Sequence, residues 1–194
     1  MIFDDGLQDK NIDYDLKFVC FDSNKWIGNG RLIPSGPLRE KLESLKKYDG
    51  VFLKGKEKKS KQLIKLIKKT NPKIEIFKTK FEVVNSKKFD KKDNFLVFSG
   101  IGSADGFKKI LIENKFKIIK EIIYPDHYQY KDKDIEKIKN LAKKMDAKII
   151  TSEKDYVKIN KFNNNNIKFL KINLKFENKN KLLNFIKSKF YETN

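Results

Sequence analysis

The chain has 194 residues, with 45 lysines and arginines against 26 aspartates and glutamates, which gives a formal net charge of +19. Its 39% hydrophobic and 12% aromatic residues supply enough apolar surface for a core and exclude a disordered chain. The apolar runs fall far short of the roughly 20 residues that a membrane-spanning helix needs, and the lone Cys20 excludes an internal disulfide. The sequence opens without the pattern of a secretion signal, so we expect a cytosolic protein.

The positive charge would ordinarily indicate a nucleic acid or an anionic membrane surface as partner. Only two of the 45 basic residues are arginines, however, and the lysines are spread along predicted helix faces such as residues 58–69. Together with the asparagine run at residues 163–166, this composition indicates a general bias more than a binding patch. We therefore expect no nucleic-acid partner, and a basic, non-enzymatic nucleic-acid-binding domain is kept as the alternative function.

Strand-like and helix-like patterns alternate along the chain, which predicts an α/β fold with mainly parallel sheets. A first unit, residues 1–73, is predicted to hold strands at residues 2–4, 17–22 and 51–53, a helix from Pro37 to about Tyr48, and an amphipathic helix at residues 59–69. The alternating residues 74–84 predict a pair of extended strands, and we expect residues 74–92 to connect this unit to a second one.

The second unit, residues 93–194, is predicted to be a smaller α/β domain. Its strands are predicted at residues 95–98, 116–123, 149–150 and 167–170. Its helices are predicted to begin near Ser103 and to lie at residues 132–145, 153–159 and 182–190. The chain is therefore expected to contain two α/β units in sequence order.

Two adjacent aspartates follow the first predicted strand. Asp4 and Asp5 precede Gly6 at the carboxyl end of that strand, where ligands bind in open α/β sheets. Such a pair suits a hydrated Mg²⁺ carrying a nucleotide phosphate, because Mg²⁺ takes one or two carboxylates plus water and phosphate oxygens. The pattern predicts Asp4 and Asp5 as metal ligands, although strands that end in aspartates are also common without a metal.

Residues 28–40 form the segment richest in residues of special backbone geometry, with three glycines and two prolines. Arg31 and Arg39, the two arginines of the chain, both lie in it, and guanidinium groups hold phosphate or carboxylate through paired hydrogen bonds. The segment is therefore predicted to cradle a phosphorylated substrate. Two simpler interpretations stay open: a structured loop without a ligand, and an Arg39 that pairs with a carboxylate of its own helix.

The only histidine, His127, follows a predicted strand and stands beside Asp126. Loops in this position often carry catalytic groups, and a neighbouring carboxylate can orient an imidazole. His127 is therefore a candidate acid/base residue, with a purely structural histidine as the alternative.

Three further patterns have structural explanations. Residues 50–57 match the first seven positions of a P-loop motif, but Glu57 replaces the Ser or Thr that ligates Mg²⁺ and residues 51–53 read as strand, so we reject a P-loop there. The glycine-rich residues 99–106 suit a tight turn between a strand and a helix. Ser152 and Asp155 are spaced as a helix-capping pair.

Five segments of the chain form a recognisable series: Asp4-Asp5-Gly6-Leu7-Gln8, the loop from Gly28 to Glu40, Ser99-Gly100-Ile101-Gly102, Pro125-Asp126-His127 with Tyr130, and Thr151-Ser152-Glu153-Lys154-Asp155. Taken in order, they resemble the motifs of the tetraacyldisaccharide 4′-kinase family. The resemblance runs through essentially the whole chain, and the loop is its most specific part. The departures are Leu7 where Phe is usual, Ser35 where Ala is usual, and Lys41 where Pro often follows the glutamate.

The resemblance implies a P-loop-kinase-like fold and transfer of the ATP γ-phosphoryl group to the 4′-hydroxyl of a tetraacyl-disaccharide 1-phosphate, the lipid A precursor. It implies ATP and Mg²⁺ as cofactors, Asp4 and Asp5 at the metal, and His127 in a base dyad. It also implies that the following residues contact the disaccharide: Gln8, Asn29, Arg31, Arg39 and Glu40. The implied location is the anionic cytoplasmic face of the inner membrane, where the protein would bind peripherally.

Members of this family resemble P-loop kinases that carry a Walker A loop and a further acidic motif before the Asp-Asp-Gly segment. Neither is found in these 194 residues. We therefore expect the chain to be the C-terminal portion of such a kinase, either a truncated form or half of a split protein, and to be inactive by itself.

Overall fold

A computed structural model describes residues 1–9, 11–55, 57–162 and 164–191. The chain divides into two units, one formed by Met1–Lys80 together with Leu174–Asn194 and the other by Phe81–Asn173. Lys56 of the P-loop-like pattern and Asn163 of the asparagine run lie outside the described residues.

The first unit is built on a sheet of parallel strands with a helix packed against it. In chain order its elements are β1 (Phe18–Asp22), a 3-10 helix (Leu42–Lys47), β2 (Gly50–Lys54), α1 (Glu57–Thr70) and β3 (Glu75–Val83). β2 lies between β1 and β3 and runs parallel to both. Leu63 and Ile67 of α1 are fully buried with Val51 and Leu53 of β2, so the apolar stripe of this helix closes the core on one face of the sheet.

The other face of that sheet is aromatic and is covered by the end of the chain. β8 (Ile172–Phe176) lies beside β3, and α5 (Lys179–Tyr191) follows it. The rings of Phe18 and Phe52 stack with centroids 4.7 Å apart, and Phe185 of α5 lies 5.4 Å from Phe77 of β3. These contacts place α5 in the first unit.

The second unit has a parallel sheet with helices on both of its faces. Its elements are a 3-10 helix (Ser86–Lys88), β4 (Asn94–Ser99), α2 (Ala104–Glu113), β5 (Lys117–Ile123), α3 (Asp132–Lys144), β6 (Lys148–Ser152), α4 (Glu153–Lys158) and β7 (Ile167–Leu170). The strand order is β5-β4-β6-β7, and each neighbouring pair is parallel.

The central strand of this second sheet, β4, is buried on both sides. Phe95 and Val97 pack in the cluster that contains Phe107 of α2, whereas Leu96 and Phe98 pack in the cluster that contains Ile138 of α3. Such continuous burial is typical of a parallel strand between two helical layers. The predicted α/β class with parallel sheets is therefore confirmed.

Two expectations for the first unit are wrong. Residues 2–4 form no strand, and the Ile2 side chain is 99% exposed, because no strand in the described part of the chain pairs with this segment. The helix predicted from Pro37 is reduced to the 3-10 helix Leu42–Lys47. Its predicted first turn is consumed by the preceding loop, since the Leu38 amide donates to the Arg31 carbonyl and the Leu38 carbonyl accepts from Ile33.

Two further differences concern the end of the first unit. The pair of extended strands predicted over residues 74–84 is a single strand, β3. Strand β8 was not predicted from the sequence. The expected domain bounds of 1–73, 74–92 and 93–194 follow the chain in order, whereas the units of the structure do not. Residues from Leu174 onward belong with the first unit, because α5 contributes Phe185 to the aromatic face there.

Candidate functional site

The first unit brings one predicted aspartate and one predicted arginine into direct contact. The Arg39 guanidinium donates to the Asp5 carboxylate, and both side chains are more than half exposed. The hydrogen bond and charge of Arg39 hold the pKa of Asp5 below its usual range, and Asp5 raises the pKa of Arg39 in turn. Arg39 therefore pairs with a carboxylate 34 residues earlier in the chain, and its pairing within its own segment, the simpler interpretation, is wrong.

Glu40 gathers a second set of partners beside this pair. Gln8 Nε2 donates to Glu40 Oε1 at 3.2 Å, and Tyr48 Oη donates to Glu40 Oε2 at 2.8 Å. Burial acts to raise the pKa of Glu40, but the hydrogen bonds from Tyr48, Gln8 and Ser44 outweigh it and leave the pKa below its usual value. Burial and then Glu40 raise the pKa of Tyr48 to about 12, so this hydroxyl stays a donor at neutral pH.

Tyr48 is a member of the cluster that sequence reasoning missed. Its position at the end of a helix-like segment gave no sign of a polar role. Tyr48 reaches Glu40, eight positions earlier, only because the chain turns back between them, and no sequence pattern predicts that turn.

The segment that carries Asp5 is held by its own aromatic contact. Tyr14 Oη donates to the Gly6 carbonyl at 2.7 Å, and the rings of Phe3 and Tyr14 meet edge to face at 5.5 Å. A Cβ at Gly6 would lie 2.8 Å from Tyr14 Oη, which is closer than side chains approach. Asp5 itself has a φ of 58°, in the left-handed region. The turn therefore presents Asp5 from a closely packed backbone.

Asn29, predicted as a substrate contact, is used inside its own loop. Its Nδ2 donates to the Ser35 carbonyl at 2.8 Å and its Oδ1 accepts from the Arg31 amide at 3.1 Å. A Cβ at Gly36 would overlap both Asn29 Oδ1 and the Arg31 carbonyl. The loop is thus closed across its middle by one amide side chain and one glycine, and residues 30–35 stay exposed.

Arg31 lies at the edge of this loop and lines a surface cleft of about 550 Å³. Lys41 adds a second cation to the lining, and Leu32 and Ile33, which are 37% and 61% exposed, add aliphatic surface. Glu43 contributes a carboxylate. The cleft therefore combines two cations and one carboxylate with exposed aliphatic surface.

Asp4 is exposed and lies close enough to Cys20 of β1 to affect its thiol. Burial, and after it the charge of Asp4, raise the pKa of Cys20. In the described part of the chain no group of three or more His, Cys, Asp or Glu side chains could hold a metal ion. Because Mg²⁺ on a nucleotide needs only one or two protein carboxylates, Asp4 and Asp5 fit its donor chemistry, with Asp5 already engaged by Arg39.

The second unit presents His127 in the loop that follows β5. The side chain is 89% exposed, and its Nε2 lies 3.9 Å from Asp126 Oδ2. The His127 amide donates to Asp126 Oδ1 at 2.9 Å, and the residue has a φ of 59°. Asp126 thus holds the backbone of this turn and stands beside the imidazole. A shared role of His127 with the carboxylates of the first unit stays a prediction.

The three patterns given structural explanations behave as expected, and residues 100–103 form the turn between β4 and α2. Residues 50–54 form strand β2, which agrees with the rejection of a P-loop at this position. Gly55 has a φ of 138°, and a Cβ there would have no room beside Ser23. Ser152 caps α4 by accepting from the Asp155 amide at 3.1 Å. Among the described residues, no helix is long and apolar enough to cross a bilayer.

Parallel sheets with carboxylates and a guanidinium gathered in the connecting loops define an α/β protein with its charged candidate site in loops. The family model described as tetraacyldisaccharide-1-P 4′-kinase matches residues 1–191. The chain belongs to this family, as the motifs of its sequence suggested.

Several known proteins are similar to this chain. The tetraacyldisaccharide 4′-kinase of Pelagibacter ubique (strain HTCC1062) is 48% identical over 183 residues, which cover 94% of this chain and 58% of the relative. That of Rickettsia akari (strain Hartford) is 36% identical over 172 residues, or 85% of this chain and 49% of the relative. The chain thus spans about half the length of the curated relatives that it matches.

One solved structure shares the fold. The "apo" form of LpxK from Aquifex aeolicus, crystallised in complex with ATP, superposes with a TM-score of 0.64 at 24% sequence identity. The match covers 96% of this chain and 56% of the other. At this identity the likeness concerns the fold, and it agrees with the α/β, P-loop-kinase-like class expected from the sequence.

Proposed function

We propose that this chain takes part in transferring the γ-phosphoryl group of ATP to the 4′-hydroxyl of a tetraacyl-disaccharide 1-phosphate in lipid A biosynthesis. The proposal is supported by membership of the family and by the names of the relatives. The observation that carries it is the convergence of Asp5, Gln8, Arg39 and Glu40 in one unit, although more than 30 residues separate the two halves of this cluster.

The cleft beside the loop is assigned to the lipid substrate. Arg31 and Lys41 supply positive charge for a sugar phosphate, and Leu32 and Ile33 supply aliphatic surface for the first carbons of an acyl chain. Arg39 and Glu40 stand next to each other in the chain with opposite charges, so Arg39 can donate to a phosphate oxygen while Glu40 accepts from a sugar hydroxyl. Gln8 helps to hold Glu40 in place.

ATP is proposed as the phosphoryl donor, because the Aquifex aeolicus structure is in complex with ATP. Bound Mg²⁺ would neutralise charge on the phosphates. Asp4 is the carboxylate proposed as its ligand, and Asp5 has the second task of fixing Arg39. His127 is proposed as a proton-transfer residue that Asp126 orients. Peripheral binding to the anionic inner-membrane surface is proposed from family membership, and the net charge of +19 is compatible with it.

The first test of this proposal is binding of the lipid by the purified chain. Tetraacyl-disaccharide 1-phosphate is presented in neutral detergent micelles, and the same disaccharide without its phosphate serves as the reference ligand. Arg39→Lys keeps the charge but removes the planar fork. Since charge-assisted hydrogen bonds contribute about 1.5–3 kcal/mol, this substitution should weaken binding about 10- to 100-fold.

The matched control is Lys65→Arg on the exposed face of α1, which adds a guanidinium away from the cluster and should leave binding unchanged. Equal affinity of the wild type and Arg39→Lys for the phosphorylated lipid would overturn the assignment of Arg39. Equal affinity of the wild type for both lipids would overturn the assignment of the cleft to a sugar phosphate. The alternative of a nucleic-acid-binding domain gains no support from the fold or from the relatives.

A further inference from the structure

Asp155 is the one carboxylate that is fully buried among the residues that the structure describes, with 0% exposure. Its oxygens accept from the Gly100 amide at 3.0 Å, from Ser152 Oγ at 2.7 Å and from Lys158 Nζ at 3.1 Å. A helix cap accounts for the partnership with Ser152 only. A buried charge is costly unless its partners satisfy it, so the contacts with Gly100 and Lys158 need an explanation of their own.

Both backbone polar groups of Gly100 are held by this charge pair. Asp155 accepts from the Gly100 amide, and Lys158 Nζ donates to the Gly100 carbonyl at 3.0 Å. Lys158 and Asp155 lie one turn apart on α4, so side chains of a single short helix hydrogen-bond to both the amide and the carbonyl of Gly100. The turn after β4 is therefore held at Gly100 by two side chains of α4.

Gly100 in turn lies directly against the loop that carries His127. A Cβ at Gly100 would lie 3.2 Å from the Pro125 carbonyl and 3.0 Å from Tyr130 Oη. Two residues further on, a Cβ at Gly102 would lie 2.7 Å from Asp126 Oδ2. At Gly100 the added atom would press on the backbone of the neighbouring loop, whereas at Gly102 it would meet the carboxylate of Asp126. The two loops are therefore closely packed at both glycines.

Tyr130, in the same loop as His127, also lies close to Asp155. Tyr130 is buried, and burial and then the Asp155 carboxylate raise the pKa of its hydroxyl well above the usual range. The hydroxyl therefore stays protonated in front of the carboxylate. The ring of Tyr130 meets that of Tyr128 at 5.3 Å, and Tyr128 Oη donates to Asp134 Oδ2 at 3.1 Å.

We propose that Asp155 and Lys158 are positioning residues for His127, which they reach through Gly100, Gly102 and the packed loop. The charge pair holds Gly100, the two glycines seat Pro125 and Asp126, and these keep His127 in its left-handed turn beside Asp126. A left-handed conformation at a residue other than glycine persists only when its surroundings hold it. The inference rests on the proposed function only for the use to which His127 is put.

The test uses the fact that His127 is the only histidine, so its imidazole gives a single Cε1–H signal in the NMR spectrum of the whole chain. Asp155→Asn is the main variant. The three neighbours of Asp155 are all donors, and an asparagine offers one acceptor oxygen and turns an NH₂ group toward the others. We expect the His127 signal to shift by more than its linewidth and exchange of the Gly100 amide to accelerate at least about tenfold.

Glu153→Gln is the matched control, because Glu153 begins the same helix and is exposed. It should leave both signals unchanged. If Asp155→Asn is folded by circular dichroism and its His127 signal coincides with that of the wild type, the proposal is overturned. If that variant fails to fold, Lys158→Gln, which removes the contact to the Gly100 carbonyl from a partly exposed side chain, decides by the same criterion.

Gly102→Ala supplies an independent arm, since the added methyl pushes directly on Asp126 and should move the His127 signal with Asp155 intact. An unmoved signal in this variant would contradict the proposed coupling of the two loops. None of these readouts depends on phosphoryl transfer. A failure of the proposed kinase function would therefore leave the NMR result standing, and a failure of the positioning role would leave the lipid-binding result standing.

Discussion

Arg39 and Glu40 are neighbours in the chain, yet their side chains contact different partners. Arg39 reaches Asp5, whereas Glu40 accepts from Gln8 and Tyr48. Because the loop before them is closed by its own hydrogen bonds, both side chains are free to face the Asp5 turn. At the scale of single residues the site is thus a set of charges held by short contacts from two segments.

The lowered pKa of Glu40 makes a prediction about stability at acid pH. Hydrogen bonds from Tyr48 and Gln8, which outweigh the effect of burial, favour its ionised form. Glu40 therefore stabilises the fold at pH values above its ordinary pKa of 4.5, and this contribution is lost as pH falls through the lower pKa of the folded chain. Glu40→Gln should lose less stability than the wild type between pH 7 and pH 3.

The measurement is the free energy of unfolding in urea at both pH values. Glu43→Gln is the control, because Glu43 is an exposed glutamate in the adjacent 3-10 helix. It should keep the wild-type dependence on pH. An identical pH dependence for Glu40→Gln and the wild type would contradict the stabilising role given to Glu40.

Among the elements, α5 is held in position by side chains on one face of the helix. Its Leu182 is buried and its Phe185 packs on Phe77 and Phe18, whereas Leu183 is 42% exposed. The helix therefore covers the aromatic face of the first sheet and leaves other apolar side chains in solvent. This one-sided packing explains why the helix belongs to a unit whose first segment ends at Lys80, more than 90 residues earlier.

Phe185→Ala should destabilise the chain measurably, because it removes the ring that fastens α5 to this face. Since Phe185 is only partly buried, we expect a loss of about 1–3 kcal/mol, below the range for fully buried phenylalanines. Leu183→Ala on the same helix should cost less than about 0.5 kcal/mol. The measurement is the free energy of unfolding of the two variants in urea. Equal losses of stability would show that α5 is not held by the aromatic face.

For the whole molecule, the missing nucleotide loop makes the sharpest prediction. The 194 residues contain no Gly-x-x-x-x-Gly-Lys-Ser/Thr sequence, and the backbone cradle for the ATP phosphates depends on such a loop. We therefore expect no measurable 4′-phosphorylation when the purified chain alone is incubated with labelled ATP, Mg²⁺ and the lipid. The kinase from Pelagibacter ubique, of which this chain covers 58%, is the positive control.

A 4′-phosphorylated product formed by the chain alone would refute this expectation. Such a result would mean that a phosphate cradle is built from residues other than a P-loop. The glycine-rich residues 99–102 would then be the first candidates for mutation, although Gly102 is already packed closely against Asp126.

Several features could be read from the sequence because they depend on local order. Periodic apolar residues fixed α1, α3 and the buried strands β4 and β6, and the Ser152 cap of α4 followed from its spacing. The failures lie where a partner decides the outcome. Residues 2–4 have the composition of a strand, but no strand among the described residues lies beside them. The helix expected at Pro37 is replaced there by hydrogen bonds between Leu38 and its loop.

The candidate site divides in the same way. Arg39 stood out because arginines are rare in this chain, and Asp5 because it follows a predicted strand, whereas Glu40 was implied only by the family resemblance. Their pairing, and the part played by Tyr48, required the fold, since these residues are brought together by contacts across 8 to 34 positions. The same holds for Asp155. Its place in a helix cap could be predicted from the sequence, but its hydrogen bond with the Gly100 amide, 55 positions earlier, could not.

The sequence by itself determined the α/β class, the order of most helices and strands, and the family, because each of these is written in short-range patterns and motifs. Only the tertiary structure decided which carboxylate Arg39 meets, which unit receives α5, and why Asp155 is buried. Those outcomes depend on distances between segments far apart in the chain. Such distances arise only when the sheets pair and the cores close around them.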